Sequence, residues 1–253
     1  MNTALSINLN KIALIRNSRP GNNPDLLSYA KQCIELGCQG ITLHPRPDQR
    51  HVRASDIAPL KALCSKYTNI EFNIEGNPLE GALGDYPGFI PLVEQALPDQ
   101  CTLVPDSTEQ STSDHGFDLV RTGDLLRPII ANLKQRGIRV SLFMDPDLEQ
   151  IRLAKEIGAD RIELYTGPFA EAHLKGQHQS ILEQHIQASE LANNIGLGVN
   201  AGHDLNLDNL IDYQQVPNLL EVSIGHAFTL DSLQIGIAAA MNSYLSRLGS
   251  NLS

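Results

Sequence analysis

Cys-x-x-Cys pairs are absent from the 253-residue chain, whose four cysteines are Cys33, Cys38, Cys64 and Cys101. That removes the common sulfur-rich metal and redox motifs and predicts buried free thiols in a reducing, cytoplasmic compartment. No secretory signal opens the chain, and no apolar run reaches the roughly 18 to 20 residues that span a bilayer, so no membrane partner is expected. Positive charge is short as well: 19 Lys and Arg stand against 29 Asp and Glu, a formal net charge of −10. Nucleic acid requires a basic face and is excluded as a partner. A small anionic substrate is not excluded, because local arginines and helix N-termini set the field inside a pocket. His-Glu-x-x-His, a dense Asp cluster and Gly-x-Gly-x-x-Gly after the first strand are all missing, so neither a metal nor a cofactor is indicated. No Gly/Ser linker or composition break divides the chain, which predicts one domain over 1–253.

What is present is a repeated alternation. Short runs rich in Ile, Val and Leu predict strands near Leu5–Leu9, Gly40–His44, Ile70–Ile74, Cys101–Pro105, Arg139–Met144, Arg161–Thr166, Leu197–Ala201 and Leu220–Ile224. Most read as apolar on both faces. Helical patterns fill the gaps at Pro24–Leu36, Ser55–Lys66, Gly88–Leu97, Leu125–Arg136, Pro146–Ile157, Ser180–Asn194, Leu207–Tyr213 and Leu230–Leu248. Gly37, Gly137, Gly158 and Gly196 each follow a helix where a left-handed residue closes the last turn, and Asp145-Pro146 reads as a helix start. The pattern is that of a single (β/α)8 TIM barrel in the α/β class, at the length typical of that fold. Two segments are long for their place. Glu75 to Pro98, dense in Gly and Pro, predicts an extended third crossing, and Asp106 to Thr122 predicts a long polar loop after the fourth strand, a lid or substrate-binding segment.

Barrel chemistry sits at the C-terminal strand ends. There this sequence puts Asn8, Asn10 and Lys11 with Arg19 following; His44-Pro45-Arg46 with Arg50-His51; Glu71, Asn73 and Glu75; Asp145; Tyr165-Thr166-Gly167; His203; and His226. Val199-Asn200-Ala201-Gly202-His203 and Ile224-Gly225-His226 each deliver a glycine and then a histidine to a strand end. The glycine lets backbone N–H groups approach an anion, and the histidine moves protons near neutral pH. Loops after strands seven and eight are the usual anion site of such barrels, so a phosphate is expected there. His44 reads either as a capped core histidine or as a functional one beside Arg46, Arg50 and His51. Glu71, inside an apolar strand, either pairs with an arginine or serves as a general base, with Asn73 and Glu75 pointing into the same mouth. His115, His173, His178 and His185 read as surface residues.

These residues resemble the pyridoxine 5′-phosphate synthase family of vitamin B6 biosynthesis over nearly the whole chain. The matching segments are Asn8-Leu9-Asn10-Lys11-Ile12-Ala13 with Arg16-Asn17-Ser18-Arg19, Gly40 to Arg46 with Arg50-His51, Asn69-Ile70-Glu71, Leu103-Val104-Pro105, Val140 to Phe143, Glu163 to Gly167, Val199 to His203 and Ile224 to Ala227. The resemblance implies condensation of 1-deoxy-D-xylulose 5-phosphate with 3-amino-2-oxopropyl phosphate in a barrel that assembles as a homo-octamer. It implies His44 and Glu71 as proton acceptors, His203 as proton donor and Asn8 as a contact to the amino ketone. Arg19, Arg46, His51 and Thr112 would hold phosphorylated substrates, and Gly225 and His226 would line the phosphate site. Two departures stand out. Asn10-Lys11 replace the family's Asp-His, which contacts the deoxyxylulose phosphate, and Asp204 replaces a glycine, setting a carboxylate beside the phosphate site unless it turns away or pairs with Lys11. Two further readings stay open: a paralogue processing another phosphorylated carbonyl compound, with Lys11 as an amine participant, and a non-catalytic barrel that binds phosphate ligands.

Overall fold

The computed structural model describes residues 3–110 and 112–249. Eight parallel strands close into a barrel in sequence order. They are β1 (Ala4–Asn8), β2 (Gly40–Leu43), β3 (Glu71–Gly76), β4 (Gln100–Leu103), β5 (Arg139–Met144), β6 (Arg161–Tyr165), β7 (Gly198–His203) and β8 (Leu219–Ile224). The helices around them are α1 (Asn10–Asn17), α2 (Leu26–Glu35), α3 (Ala54–Cys64), α4 (Phe89–Ala96), α5 (Leu119–Gln135), α6 (Leu148–Glu156), α7 (Gly167–Leu174), α8 (Gln179–Asn194), α9 (Leu210–Tyr213), α10 (His226–Ile235) and α11 (Ile237–Arg247). The ring closes where β1 pairs with β8, Leu5 opposite Val222 and Ile7 opposite Ile224.

The strands are not apolar on both faces. Leu5, Ile7, Ile41, Phe72, Ile74, Cys101, Val140, Leu142, Ile162, Val199 and Val222 pack in the apolar core. Their alternating neighbours Ser6, Thr42, Asn73, Gln100, Thr102, Ser141, Glu163, Asn200 and Glu221 are equally buried but polar. Period-two alternation sends the two sets to opposite faces, and the polar set meets inside the barrel: Asn200 on β7 donates to Gln100 on β4 at 3.5 Å. The apolar core therefore lies between strands and helices, and the barrel's own interior is held by hydrogen bonds.

Other boundaries moved for identifiable reasons. Helix α5 starts at Leu119, six residues before the expected Leu125, and takes in Gly123, which is buried near Ile157. Helix α6 is capped by Asp147, whose carboxylate accepts from the Glu149 and Gln150 amides, whereas Asp145 accepts from the Gly116 amide. The short helices α1 and α7 lie in stretches that showed no clear periodicity. Gly37, Gly137, Gly158 and Gly196 do sit at positive φ after their helices. All four cysteines are buried free thiols. Among the described residues no helix is long and apolar enough to cross a membrane.

Candidate active site at the C-terminal mouth of the barrel

A cavity of about 340 Å³ opens at the C-terminal ends of the strands. Of the residues singled out in the sequence, Asn8, Asn10, Lys11, His44, Arg46, His51, Thr112, His203, Asp204, Gly225 and His226 line it, joined by Glu75 and Glu163. Arg19 does not line it and lies exposed beyond the end of α1. Glu71 is a correction of larger consequence. Strand β3 runs two residues further than the apolar pattern suggested, so Glu71 is its first residue and Glu75 its fifth. At about 3.3 Å per residue the two carboxylates stand ~13 Å apart along the strand. Glu71 sits at the opposite mouth, in an ion pair with Arg139 at the start of β5. The reading in which an arginine neutralises it is the one the structure bears out, and Glu75 holds the place expected of Glu71.

One wall of the cavity is built on β2, β3 and the loop after β4. His44 is buried between two acids, with Nδ1 3.9 Å from Glu75 Oε2 and Nε2 3.3 Å from Asp106 Oδ2. Its Nε2 nevertheless has no aligned hydrogen-bond partner among the described residues. Burial, then the charges of Glu163, Glu221 and Asp106, push the Glu75 carboxyl well above its ordinary range, favouring its neutral form. Asp106 goes the other way: burial would raise it, but the His44 ring, the Arg46 guanidinium and the Ser113 hydroxyl hold it down to about 2. Asn8 donates to Glu75 at 3.4 Å, and Asn10 Oδ1 accepts from the His44 amide at 3.0 Å, so both asparagines brace this wall as well as facing the pocket.

Arg46 is spent on protein. It pairs with Asp106 and donates to the carbonyls of Ser107 and Gln110, and Arg50 adds bonds to Thr108 and Gln110. The two arginines therefore latch the long β4–α5 loop over the mouth. His51 is pushed down to about 3 by burial and then by the charges of His44, Arg46 and Arg50, so its ring is neutral. The Val52 amide donates to its Nδ1 at 3.0 Å, which places the proton on Nε2 and makes His51 a neutral donor rather than a cation.

The opposite wall is built on β6 and β7. His203 has φ of 103°, a left-handed conformation rare for a non-glycine residue. Thr166 holds it there: its amide and hydroxyl both donate to the Gly202 carbonyl, at 3.2 and 2.7 Å, and its oxygen accepts from the Asp204 amide at 3.3 Å. The Asp204 carboxylate, the departure expected to repel a phosphate, turns instead to His203 Nδ1 at 2.8 Å. That bond first, then the charges of His203, His226 and Lys11, keep Asp204 below the usual carboxylate range. Nδ1 thus carries the proton, and Nε2, beside the Thr112 hydroxyl, is the working nitrogen. Tyr165 packs edge-on against the same ring at 5.6 Å. Glu163 lies beneath, and burial pushes its carboxyl up to about 7 against the opposing pull of His203 and Thr102. A Cβ at Gly202 would overlap the Glu163 carboxylate, so any other residue there displaces that side chain from beneath His203. Asp204→Asn is therefore expected to lower kcat about tenfold or more with little change in KM, as the amide no longer selects the Nδ1–H tautomer; steady-state kinetics read both constants.

The anion end lies at β8. Gly225 is the N-cap of α10, which starts four residues before the expected Leu230, so the first amides of a ten-residue helix open beside the pocket. A Cβ at Gly225 would crowd Asn8, only 3.0 Å from its Cβ. Lys11, in the first turn of α1, adds a cation. Sequence reasoning missed Glu163, Asp106 and Ser113 as parts of the site, and it placed Thr166 at the end of β6 without a role. Asp106 opens the long loop after β4, but only the closed barrel turns it inward.

The chain matches the family model described as "Pyridoxal phosphate biosynthesis protein PdxJ" over residues 5–250. It is 51% identical over 246 residues to pyridoxine 5′-phosphate synthase of Xanthomonas campestris pv. campestris, covering 97% of this chain and 96% of that one. It is 48% identical over 249 residues to the synthase of Xylella fastidiosa, covering 98% and 95%. Among solved structures, 3-keto-L-gulonate-6-phosphate decarboxylase from Vibrio cholerae superposes with a TM-score of 0.60 at 12% identity, over 98% of this chain and 99% of that one, a likeness of fold alone. With its barrel closed over this histidine-lined mouth, the chain belongs to the PdxJ family of pyridoxal phosphate biosynthesis proteins.

Proposed function

We propose that this chain is a pyridoxine 5′-phosphate synthase. It condenses 1-deoxy-D-xylulose 5-phosphate with 3-amino-2-oxopropyl phosphate and releases inorganic phosphate and water, in the cytoplasm and as a homo-octamer. The observation that carries the reading is that two histidines, each beside a buried acid of raised pKa, line one pocket that opens at a helix N-terminus: His44 with Glu75, and His203 with Glu163. Ring closure requires protons to leave carbons next to carbonyls while oxygen leaving groups accept them. Two acid–base centres let one remove a proton as the other supplies one. His44 is the proposed acceptor, with neutral Glu75 returning the proton. His203 is the proposed donor through Nε2 in its doubly protonated form, with Asp204 holding the Nδ1 proton. Gly225 and the first amides of α10, with His226 and Lys11, are proposed to hold a phosphate. His51 and Thr112 donate to substrate oxygens, Asn8 and Asn10 hold the His44 wall, and Arg46 acts by keeping the loop closed.

The direct test supplies both phosphorylated substrates to the purified protein and follows pyridoxine 5′-phosphate and free phosphate by chromatography. Equimolar appearance of the two supports the proposal; consumption of neither substrate overturns it.

Glu163 gives a pH signature. With the Glu163 carboxyl at about 7, a carboxylate forms beneath His203 as pH climbs through that value and holds the ring's proton more tightly, so kcat/KM is expected to fall above about pH 7, a limb that Glu163→Gln removes. Stability follows the same sign. A carboxyl raised above its ordinary 4.5 contributes stability below that value and loses it as pH climbs through 7, so Tm falls by a few degrees more between pH 5 and 8 in the native protein than in Glu163→Gln. Asp106, depressed from 3.8 to about 2, contributes oppositely, its stabilisation disappearing only as pH drops through 2.

A further inference from the structure

Outside the pocket, two histidines that read as surface residues converge with an aspartate between α7, α8 and α9. His173 lies in the last turn of α7, His178 is the N-cap of α8, and Asp212 belongs to α9. Gly176, at φ of 66°, turns the chain between the two histidines so that both rings come back to one side. Their Nε2 atoms stand 3.2 and 3.0 Å from the same oxygen, Asp212 Oδ2. The rings themselves are 4.6 Å apart.

The rings are set before any ligand arrives. Phe169, fully buried, packs edge-to-face on His178 at 5.7 Å and tilted on His173 at 5.9 Å. His178 Nδ1 is buried without a hydrogen-bond partner. Two imidazoles this close repel each other if both are protonated, whereas in their neutral form the two Nε2 atoms and Asp212 Oδ2 offer three donor atoms to one point. A divalent cation satisfies all three donors at once. At bond lengths of about 2.0–2.2 Å, tetrahedral coordination sets neighbouring donor atoms ~3.3 Å apart. Each His–Asp donor separation is close to that, and all three ligand atoms fall within 4.8 Å of one another. Mixed imidazole and carboxylate ligation suits Zn²⁺, Co²⁺ or Ni²⁺ rather than Mg²⁺ or Ca²⁺. The Gln179 amide, 3.3 Å from His178 Nε2, sits on a solvent-exposed side chain that can swing away.

We propose that His173 Nε2, His178 Nε2 and Asp212 Oδ2 form a three-ligand binding site for a transition-metal dication, separate from the catalytic pocket, with the fourth position open to water. Such an ion clips the α7–α8 turn to α9. Helix α9 is itself tied to the catalytic loop, because Asn209, its N-cap, donates to the Asp204 carbonyl at 3.0 Å.

The test uses full-length protein stripped with EDTA. Calorimetric titration with Zn²⁺ is expected to show one tight equivalent and a raised Tm, and Co²⁺ the intense visible absorption of a tetrahedral centre. Partners of metal ligands are worth about 10–100-fold in affinity, so removing a ligand itself is expected to weaken Zn²⁺ binding at least tenfold in His173→Ala and His178→Ala. Asp212→Asn, nearly isosteric, gives the same reading where an alanine variant folds poorly. His226→Gln, in the pocket, is expected to keep the tight equivalent. Absence of a stoichiometric site, or binding that survives in the histidine variants and disappears in His226→Gln, overturns the proposal.

Discussion

His203→Ala is expected to lose about 10²–10⁴-fold in turnover, the range a positioned acid–base group contributes, while the affinity for a phosphate ligand changes little. Retained binding follows from the separation of tasks. The imidazole sits at the end of β7 on the β6–β7 wall, whereas the anion end is built from Gly225 and the α10 amides. The strained backbone supplies a second reading. His203 is held at φ of 103° by three bonds through Thr166, so His203→Gly, which takes that conformation freely, is expected to be more stable than His203→Ala and equally inactive. Rapid-quench product measurement, phosphate titration and thermal melts report the three quantities separately. Turnover within a few-fold of the native protein in either variant would remove His203 from the mechanism.

The second large effect separates two glutamates on one strand. Glu75→Gln is expected to reduce turnover by about 10²-fold or more while leaving stability nearly unchanged, because glutamine imitates the neutral carboxyl that burial already favours there. Glu71→Gln is expected to do the reverse. It leaves Arg139, half-buried at the base of the barrel, without its ion-pair partner and costs about 1–3 kcal/mol in stability, with turnover within a few-fold. Urea unfolding and steady-state kinetics on the two variants distinguish the cases. A large catalytic loss in Glu71→Gln, with Glu75→Gln active, would mean that the chemistry is not confined to the C-terminal mouth.

Much of this was legible in the sequence because it depends on local pattern. Alternation of apolar runs and helical stretches revealed eight βα units, glycines marked helix ends, and the Gly-His pairs at β7 and β8 marked the pocket. What was not legible depended on the closed ring. A two-residue difference in where β3 ends decides which glutamate reaches the C-terminal mouth, and no apolar pattern fixes that boundary when polar side chains fill the barrel. The hidden half of the β-strand alternation, from Ser6 to Glu221, was read as apolar because outward-facing residues dominate each run. Asp204 seemed misplaced beside a phosphate because sequence cannot show that it turns toward its neighbour's ring. His185 was read as a surface residue for a similar reason. It is fully buried against the Tyr213 hydroxyl at 2.9 Å, a contact made between α8 and α9.

The most direct measurement is a crystal structure of the protein soaked with pyridoxine 5′-phosphate. The phosphate should lie against Gly225 and the amides opening α10, with the pyridine ring between His44 and His203 and within hydrogen-bond reach of at least one of Glu75 and Glu163. Ligand density at the Glu71–Arg139 mouth, or a ring out of reach of both histidines, would contradict the assignment.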